Sequence, residues 1–278
     1  MPKKDGSPTY AERKKQEAES RRVELRKQAR KNRLLSRERF KHSEVVVARY
    51  RRALMSIAKH VGSIVKTMAP NGVVENMTEL ERLLTNYSEI LDPYARKIAE
   101  SMLEKVDSDN EKAWRKNSEE MGILMKKQVE RSKVSATYKQ LMEEQVTLIK
   151  SLPLEEAQRV HKLSTEALSN ATRASEIAKE ILKTGHVTAS RAMTIARTET
   201  SRASTNLTEA RAKLIGSPGY IWRTAGDADV RELHQHLEGQ FISWDDPPVA
   251  GSRGERAHAG AIYNCRCYPE VLLPDTVD

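Results

Sequence analysis

The chain has 278 residues, of which 38% are hydrophobic and 31% are charged, and its formal net charge at neutral pH is +9. A chain this polar excludes one large compact core, so that burial must come from narrow apolar stripes along helices. No apolar run approaches the roughly 18 residues of a membrane span, and the first thirty residues lack the apolar region of a signal peptide.

The excess positive charge lies in the first fifth of the chain. Residues 1–60 hold 19 Lys or Arg against 7 Asp or Glu, whereas the remainder is slightly acidic. Residues 10–50 contain no Gly or Pro and few apolar side chains, which predicts a basic helical or disordered arm over residues 1–44. The cations of this arm are suited to contacts with DNA phosphates. The alternative is a solvated arm, or an arm docked on an acidic protein. The candidate phosphate contacts are Lys14, Arg21, Arg22, Arg26, Lys27, Arg30, Lys31 and Arg33.

Residues 45–184 form the second predicted region, in which apolar residues recur at helical three- and four-residue steps. The first predicted helix covers residues 45–68 and ends at Pro70-Asn71-Gly72. Capping boxes of Thr78 with Glu81 and of Ser108 with Glu111 predict two further helix starts, and Asp92-Pro93 predicts another.

The same region predicts a long helical seam up to Ser151-Leu152-Pro153, where the proline stops it, and a further helix over residues 155–182. A break follows at residues 183–186, with Gly185 as a helix C-cap. The break separates this helical region from a predicted C-terminal domain over residues 185–278.

The C-terminal domain begins with a predicted helix over residues 188–214. An alternating segment, residues 220–224, then predicts a strand, and a short helix follows with Asp227 as its N-cap and Gly239 at its end. Residues 240–242 and 266–272 predict two more strands. The predicted fold class is therefore mainly α, with long N-terminal helices followed by a small α+β domain that contains a short antiparallel sheet.

Most of the unusual side chains are concentrated in this C-terminal domain, including both cysteines and two of the three tryptophans. A spaced series runs from an Ala-Arg-Thr-Glu helix through a Trp and an Asp-x-x-x-Arg-x-x-His stretch to a closing Asn-Cys-Arg-Cys. Its members are Arg197, Thr198, Glu199, Trp222, Asp227, Arg231, His234, Gly239, Asn264, Cys265, Arg266 and Cys267. In combination, this series resembles the Mu F-like phage head morphogenesis family, the minor head proteins of tailed bacteriophages.

The resemblance implies a minor head (capsid) protein with a structural role, assembled in the host cytoplasm and carried in the virion head. It implies the portal and other head proteins as partners, with packaged double-stranded DNA nearby, and no membrane partner. It implies no enzymatic activity. The alternative is a toxin-like enzyme or nuclease that uses the C-terminal Cys, His and Asp residues.

The residue inventory also permits a zinc site, although no cofactor is the primary expectation. His234 or His236, His258, Cys265 and Cys267 offer the nitrogen and sulfur ligands that zinc prefers, and we single out His234 with the two cysteines. A pair of free cysteines that fill a core is the alternative, whereas a disulfide across one residue would be strained.

Two further hypotheses concern charged residues of the series. A nucleophilic cysteine activated by His234 would be oriented by Asp227, a role that competes with helix capping by Asp227. Glu199 could form a buried ion pair with Arg231 or Arg266, because Arg197 and Glu199 point to different sides of their helix.

Overall fold

The computed structural model describes Gln16, Ser20 and residues 43–120, 131–169 and 174–272. Within this part, the chain forms seven helices and one three-stranded antiparallel sheet near the C-terminus, which confirms the predicted fold class. All eight candidate phosphate-contacting cations of the predicted arm lie outside the described residues. The division into regions 1–44, 45–184 and 185–278 stays a prediction.

The helices and strands are α1 (Glu44–Met68), α2 (Met77–Ile90), α3 (Asp92–Glu120), α4 (Arg131–Ser169), α5 (Ala174–Leu182), α6 (Thr184–Leu214), β1 (Gly219–Arg223), α7 (Glu232–Leu237), β2 (Phe241–Ser243) and β3 (Tyr268–Val271). No helix in the described ranges is both long and apolar enough to cross a membrane.

Helix α6 is the central element because it contributes to two separate hydrophobic cores. Ile195 and Leu207 of α6 belong to the helical core, where α6 packs against α1, α3 and α4. Its last turn supplies Ala212 to a second core around the sheet. The helix therefore joins the helical region to the C-terminal residues that carry the unusual side chains.

The helical core follows the apolar stripes that the sequence predicts. Fully buried side chains from α1, α2, α3, α4 and α6 meet in one cluster, which includes Leu54, Ile57, Val61, Leu80, Leu84, Leu103, Leu141, Ile149, Leu152 and Leu207. Burial of each such aliphatic side chain stabilises the fold by about 2 kcal/mol relative to exposure. With Ile177 and Ile181 of α5, the same cluster draws side chains from six helices.

Two predicted helix ends are wrong because tertiary packing overrides a local signal. The predicted stop at Pro153 does not occur, and α4 continues through this proline. Leu152 and Val160, on either side of it, are both buried in the helical core, and their burial offsets the roughly 3 kcal/mol that an internal proline costs. The predicted start at Ser108 likewise lies inside α3, since Val106 and Trp114 on either side of it are buried.

Two cap assignments are also wrong. The N-cap of α2 is Asn76 rather than Thr78, because the side chain of Asn76 accepts a hydrogen bond from the Glu79 amide at 3.0 Å. Gly185 is not a C-cap but lies in the first turn of α6. Gly185 faces Gly62 of α1. A Cβ added to Gly62 would lie 2.9 Å from the Gly185 Cα, so the lack of a side chain at Gly62 lets α1 and α6 approach closely.

The sheet has the strand order β2-β1-β3, with both pairings antiparallel. Strand β1 is the middle strand, and its Tyr220 and Trp222 are fully buried. They form the second core together with Trp114 of α3, Trp244 and the two cysteines. The three predicted strands are confirmed, although β3 begins at Tyr268, so that both cysteines lie in the loop before it.

Candidate functional site

Three residues of the predicted series meet in one buried cluster: His234 of α7 and the two cysteines that precede β3. His234 Nδ1 lies 3.6 Å from Cys265 Sγ and 3.5 Å from Cys267 Sγ. The three side chains are 2%, 4% and 5% exposed, respectively. These are the residues that the sequence singled out for zinc, and the fold places all three ligand atoms within 4.8 Å of one another.

The orientation of the His234 ring is fixed from its other side. The ring nitrogen Nε2 donates a hydrogen bond to the carbonyl oxygen of Ala250 at 2.9 Å. In the neutral ring, Nδ1 then carries the lone pair and points at the two sulfurs. Trp222 packs edge-on against the ring, with centroids 5.3 Å apart. Ala250 could not be predicted as the partner of His234 from the sequence, because a backbone carbonyl has no side-chain signature.

The pKa values of the two cysteine thiols shift in opposite directions, because the thiols are hydrogen-bonded to one another. A hydrogen bond from Cys267 lowers the pKa of Cys265 far below the ordinary thiol range, and His234 adds to this effect against the opposing burial. The ionised neighbour and burial raise the pKa of Cys267. The hydrogen bond with Cys265 likewise raises the pKa of His234. The contacts of the cluster therefore favour ionisation of Cys265 over that of Cys267.

The loop that carries the cysteines is docked on a polar stripe of α6. Thr198 Oγ1 accepts a hydrogen bond from the Asn264 amide at 2.9 Å, and Thr205 Oγ1 donates one to the carbonyl oxygen of Ala259 at 2.7 Å. Asn264 adopts a left-handed backbone conformation with a φ of 50°, which Asn tolerates better than most residues. The Thr of the Ala-Arg-Thr-Glu series thus positions the Asn-Cys-Arg-Cys group.

Gly260 allows the loop to approach α6 this closely. Its φ is +86°, and an added Cβ would lie 2.7 Å from the Cys267 carbonyl oxygen, 2.8 Å from Ser201 Oγ and 2.9 Å from Thr205 Oγ1. Sequence analysis missed Gly260 as a site residue. Its position in a Gly-rich segment shortly before Asn264 is the signal that could have indicated a close backbone approach.

The charged members of the series pair with one another at the rim of the cluster. Arg266 donates two hydrogen bonds to the Asp227 carboxylate, at 2.6 and 2.7 Å. Arg231 donates to the carbonyl oxygen of Tyr263 at 2.7 Å. Asp227 is not the N-cap of α7, which begins five residues later; it also accepts from the Asp229 amide at 3.2 Å. These contacts tie the α7 entry loop to the cysteine loop.

The hypothetical nucleophilic triad is not assembled. The hydrogen bonds of the Asp227 carboxylate join it to Arg266 and to its own loop, whereas the His234 nitrogen that Asp227 would orient is bonded to Ala250. The buried cluster therefore contains a Cys–His pair without the orienting carboxylate that the triad requires.

The predicted ion pair of Glu199 with Arg231 or Arg266 is wrong. Glu199 faces the helical region instead, where it accepts hydrogen bonds from Gln145 Nε2 at 2.8 Å and from Arg202 Nε at 3.0 Å. Arg231 and Arg266 are held at the far side of the cysteine loop. Glu199 therefore fixes α6 to α4 rather than to the C-terminal loop.

The remaining members of the series and of the zinc inventory lie elsewhere. Arg197 is exposed on α6. Gly239 adopts a φ of +75° after α7, and its amide bonds the Trp222 carbonyl oxygen at 2.9 Å, which turns the chain into β2. His236 is exposed, and His258 packs against Tyr220 and Trp244, so neither histidine belongs to the His234 cluster.

A polar pocket of about 190 Å³ opens next to the cluster. Its lining includes the three cluster residues together with Asp229, Arg231, Asn264 and Arg266. The pocket gives water and small ions a path to otherwise buried ligand atoms. The arrangement can therefore hold a metal ion through three protein ligands and leave a further position open.

Comparison with known proteins finds a match over the part of the chain that holds these residues. Residues 158–269 match the family model described as Phage Mu protein F like protein. Because of this similarity, we call the stretch the Mu F-like region. It contains every member of the series from Arg197 to Cys267, which confirms the resemblance seen in the sequence. The Mu F-like region thus covers the end of α4, all of α5, α6 and α7, strands β1 and β2, the cluster and the first two residues of β3.

One curated relative shares part of the chain. An uncharacterized protein of Haemophilus influenzae is 31% identical over 128 residues, which is 46% of this chain and 28% of the relative. The chain therefore spans only about a quarter of the length of that relative. No solved structure matches the chain.

Proposed function

We propose that this chain is a minor head protein of a tailed bacteriophage with a structural role in head morphogenesis. The observation that carries the proposal is the match of residues 158–269 to the Phage Mu F-like family model. The internal use of the series supports it, because Thr198, Glu199, Asp227 and Arg266 hold segments of the fold together. In the proposed role the Mu F-like region is a rigid module of the virion head.

The proposed partners are the portal, other head proteins and packaged DNA. The helical region offers long exposed helix faces for protein contacts, and α1 alone exposes Arg49, Arg51, Arg52 and Lys59. The basic arm over residues 1–44 precedes α1 and carries the eight cations suited to phosphate contact. Contacts of this kind depend on charge rather than on DNA sequence.

Removal of residues 1–42 is expected to weaken DNA binding about tenfold or more at low salt. This truncation retains Ser43, whose side chain caps α1. For the full chain, the logarithm of the binding constant should fall with the logarithm of salt concentration, with a slope of up to about −7 if all eight cations contact phosphates. The measurement is a salt series of fluorescence anisotropy titrations with double-stranded DNA of unrelated sequences.

Sedimentation of the purified chain with the portal of the phage that encodes it supplies the second half of this test. The full chain and the truncated chain should both sediment with the portal, because the protein contacts are assigned to the helical and Mu F-like regions. Equal DNA affinity of the two chains would contradict the role of the arm. Failure of both to sediment with the portal would contradict the partner assignment.

A further inference from the structure

We propose that His234, Cys265 and Cys267 bind one zinc ion, with a water molecule in the fourth position. The ligand types are suited to zinc, which is bound in proteins by imidazole nitrogen and cysteine sulfur in a tetrahedral arrangement. The inference is independent of the proposed role in the phage head, because it rests only on the geometry of the cluster.

The distances agree with a common metal centre. Tetrahedral zinc with bonds of about 2.0 Å to nitrogen and about 2.3 Å to sulfur places these two ligand atoms about 3.6 Å apart. The observed separations from His234 Nδ1 are 3.6 Å to Cys265 Sγ and 3.5 Å to Cys267 Sγ. Both sulfurs are therefore at the separation that a shared ion requires.

The histidine is oriented as a ligand from outside the cluster. Donation from His234 Nε2 to the Ala250 carbonyl leaves Nδ1 as the free nitrogen and holds the ring plane in place. Metal-bound histidines commonly donate their second nitrogen to a carbonyl or a carboxylate in this way. The contact with Ala250 thus has the form expected of a zinc-binding histidine.

The surroundings also suit a metal ion better than a core of free thiols. Trp222 is completely buried against the His234 ring, and its indole Nε1 has no hydrogen-bond partner among the described residues. An unpaired donor beside the cluster suits a metal site, because metal-ligating groups are commonly hydrogen-bonded by residues outside the ligand set. On the opposite side, the polar pocket beside Asp229 and Asn264 supplies the open position for water.

A bound ion would join two segments that are far apart in the chain. His234 belongs to the short helix α7, whereas both cysteines lie in the loop before β3, 31 and 33 residues further along the chain. The Arg266–Asp227 pair joins the same two segments at the exposed rim, where an ion pair contributes little. Zinc would therefore add a strong crosslink between α7 and the cysteine loop.

The test measures zinc in the full chain, produced without a polyhistidine tag in zinc-supplemented medium and purified without chelator. Mass spectrometry of the metal content should find about one zinc per chain. The variants His234→Gln, Cys265→Ser and Cys267→Ser should each reduce zinc affinity about tenfold or more. His236→Gln is the matched control, because His236 is exposed on the same helix and should leave the zinc content unchanged.

Cobalt substitution keeps the test decisive if a variant fails to fold. Wild-type protein, stripped with a chelator and titrated with Co²⁺, should show the visible bands of tetrahedral cobalt and a thiolate charge-transfer band, both removed by Zn²⁺. A wild-type protein without zinc and without these bands overturns the proposal. Equal zinc content in the wild type, the three variants and the control also overturns it, because the ion is then adventitious.

Discussion

Replacement of Glu199 with alanine is expected to lower the free energy of unfolding by about 3 kcal/mol. The Glu199 carboxylate is the acceptor at the centre of a buried polar network. It accepts from Gln145 Nε2 at 2.8 Å, and Gln145 Oε1 accepts in turn from the Tyr50 hydroxyl at 2.9 Å. Gln145 is completely buried, so its amide would lose a partner that water cannot replace.

The size of this effect follows from where the network lies. It joins α1, α4 and α6 inside the helical core, and burial with the nearby Glu199 charge raises the pKa of Tyr50. Arg202 would also lose its bond to Glu199, but its side chain is 29% exposed and keeps a second bond to Glu144. We therefore assign most of the loss to the buried amide of Gln145.

Glu144→Ala is the matched control, because it removes the other carboxylate that binds Arg202. The Glu144 side chain is 34% exposed, so its loss should cost less than about 1 kcal/mol. Urea unfolding followed by circular dichroism measures both variants against the wild type. Equal destabilisation by the two substitutions would contradict the larger contribution to the free energy of unfolding that we assign to the buried network.

Gly260→Ala is expected to destabilise the protein by about 3 kcal/mol, through two separate effects. The positive φ of +86° is unfavourable for any residue with a Cβ. In addition, the new methyl group would overlap the Cys267 carbonyl oxygen and the hydroxyl of Thr205, which would push the cysteine loop away from α6.

Gly254→Ala separates these two effects. Gly254 has nearly the same φ, +84°, but nothing lies within 4 Å of the position that its Cβ would occupy. It should therefore cost only about 1 kcal/mol, the backbone contribution. Thermal unfolding of both variants supplies the comparison, and equal shifts of Tm would contradict the close packing of the cysteine loop on α6.

The sequence predicted those elements whose local signal agrees with their packing. The helix over residues 45–68 is observed as α1, one residue longer at its start, because its apolar stripe is the face that is buried. The predicted stop at Pro153 failed because Leu152 and Val160 are buried by other helices, and a local sequence window cannot show such contacts. The same reason explains why the start predicted at Ser108 failed.

The residues of the cluster could be predicted from their types, but the residues that position them could not. Zinc-type ligands are rare in this chain, which made His234, Cys265 and Cys267 recognisable from the sequence. Their orientation depends on the backbone of Ala250, and the partner of Glu199 is Gln145, 54 residues earlier. Neither contact has a spacing that sequence reasoning could use, which is why the partners predicted for Glu199 were wrong.

The yield of DNA-filled heads tests the head-protein proposal most directly. The phage that encodes this chain would be grown with the gene deleted, and with the full chain supplied from a plasmid as the control. We expect the deletion to reduce the yield of DNA-filled heads sharply and the plasmid copy to restore it. Particles of normal yield and normal genome content in the absence of the chain would contradict a role in head morphogenesis.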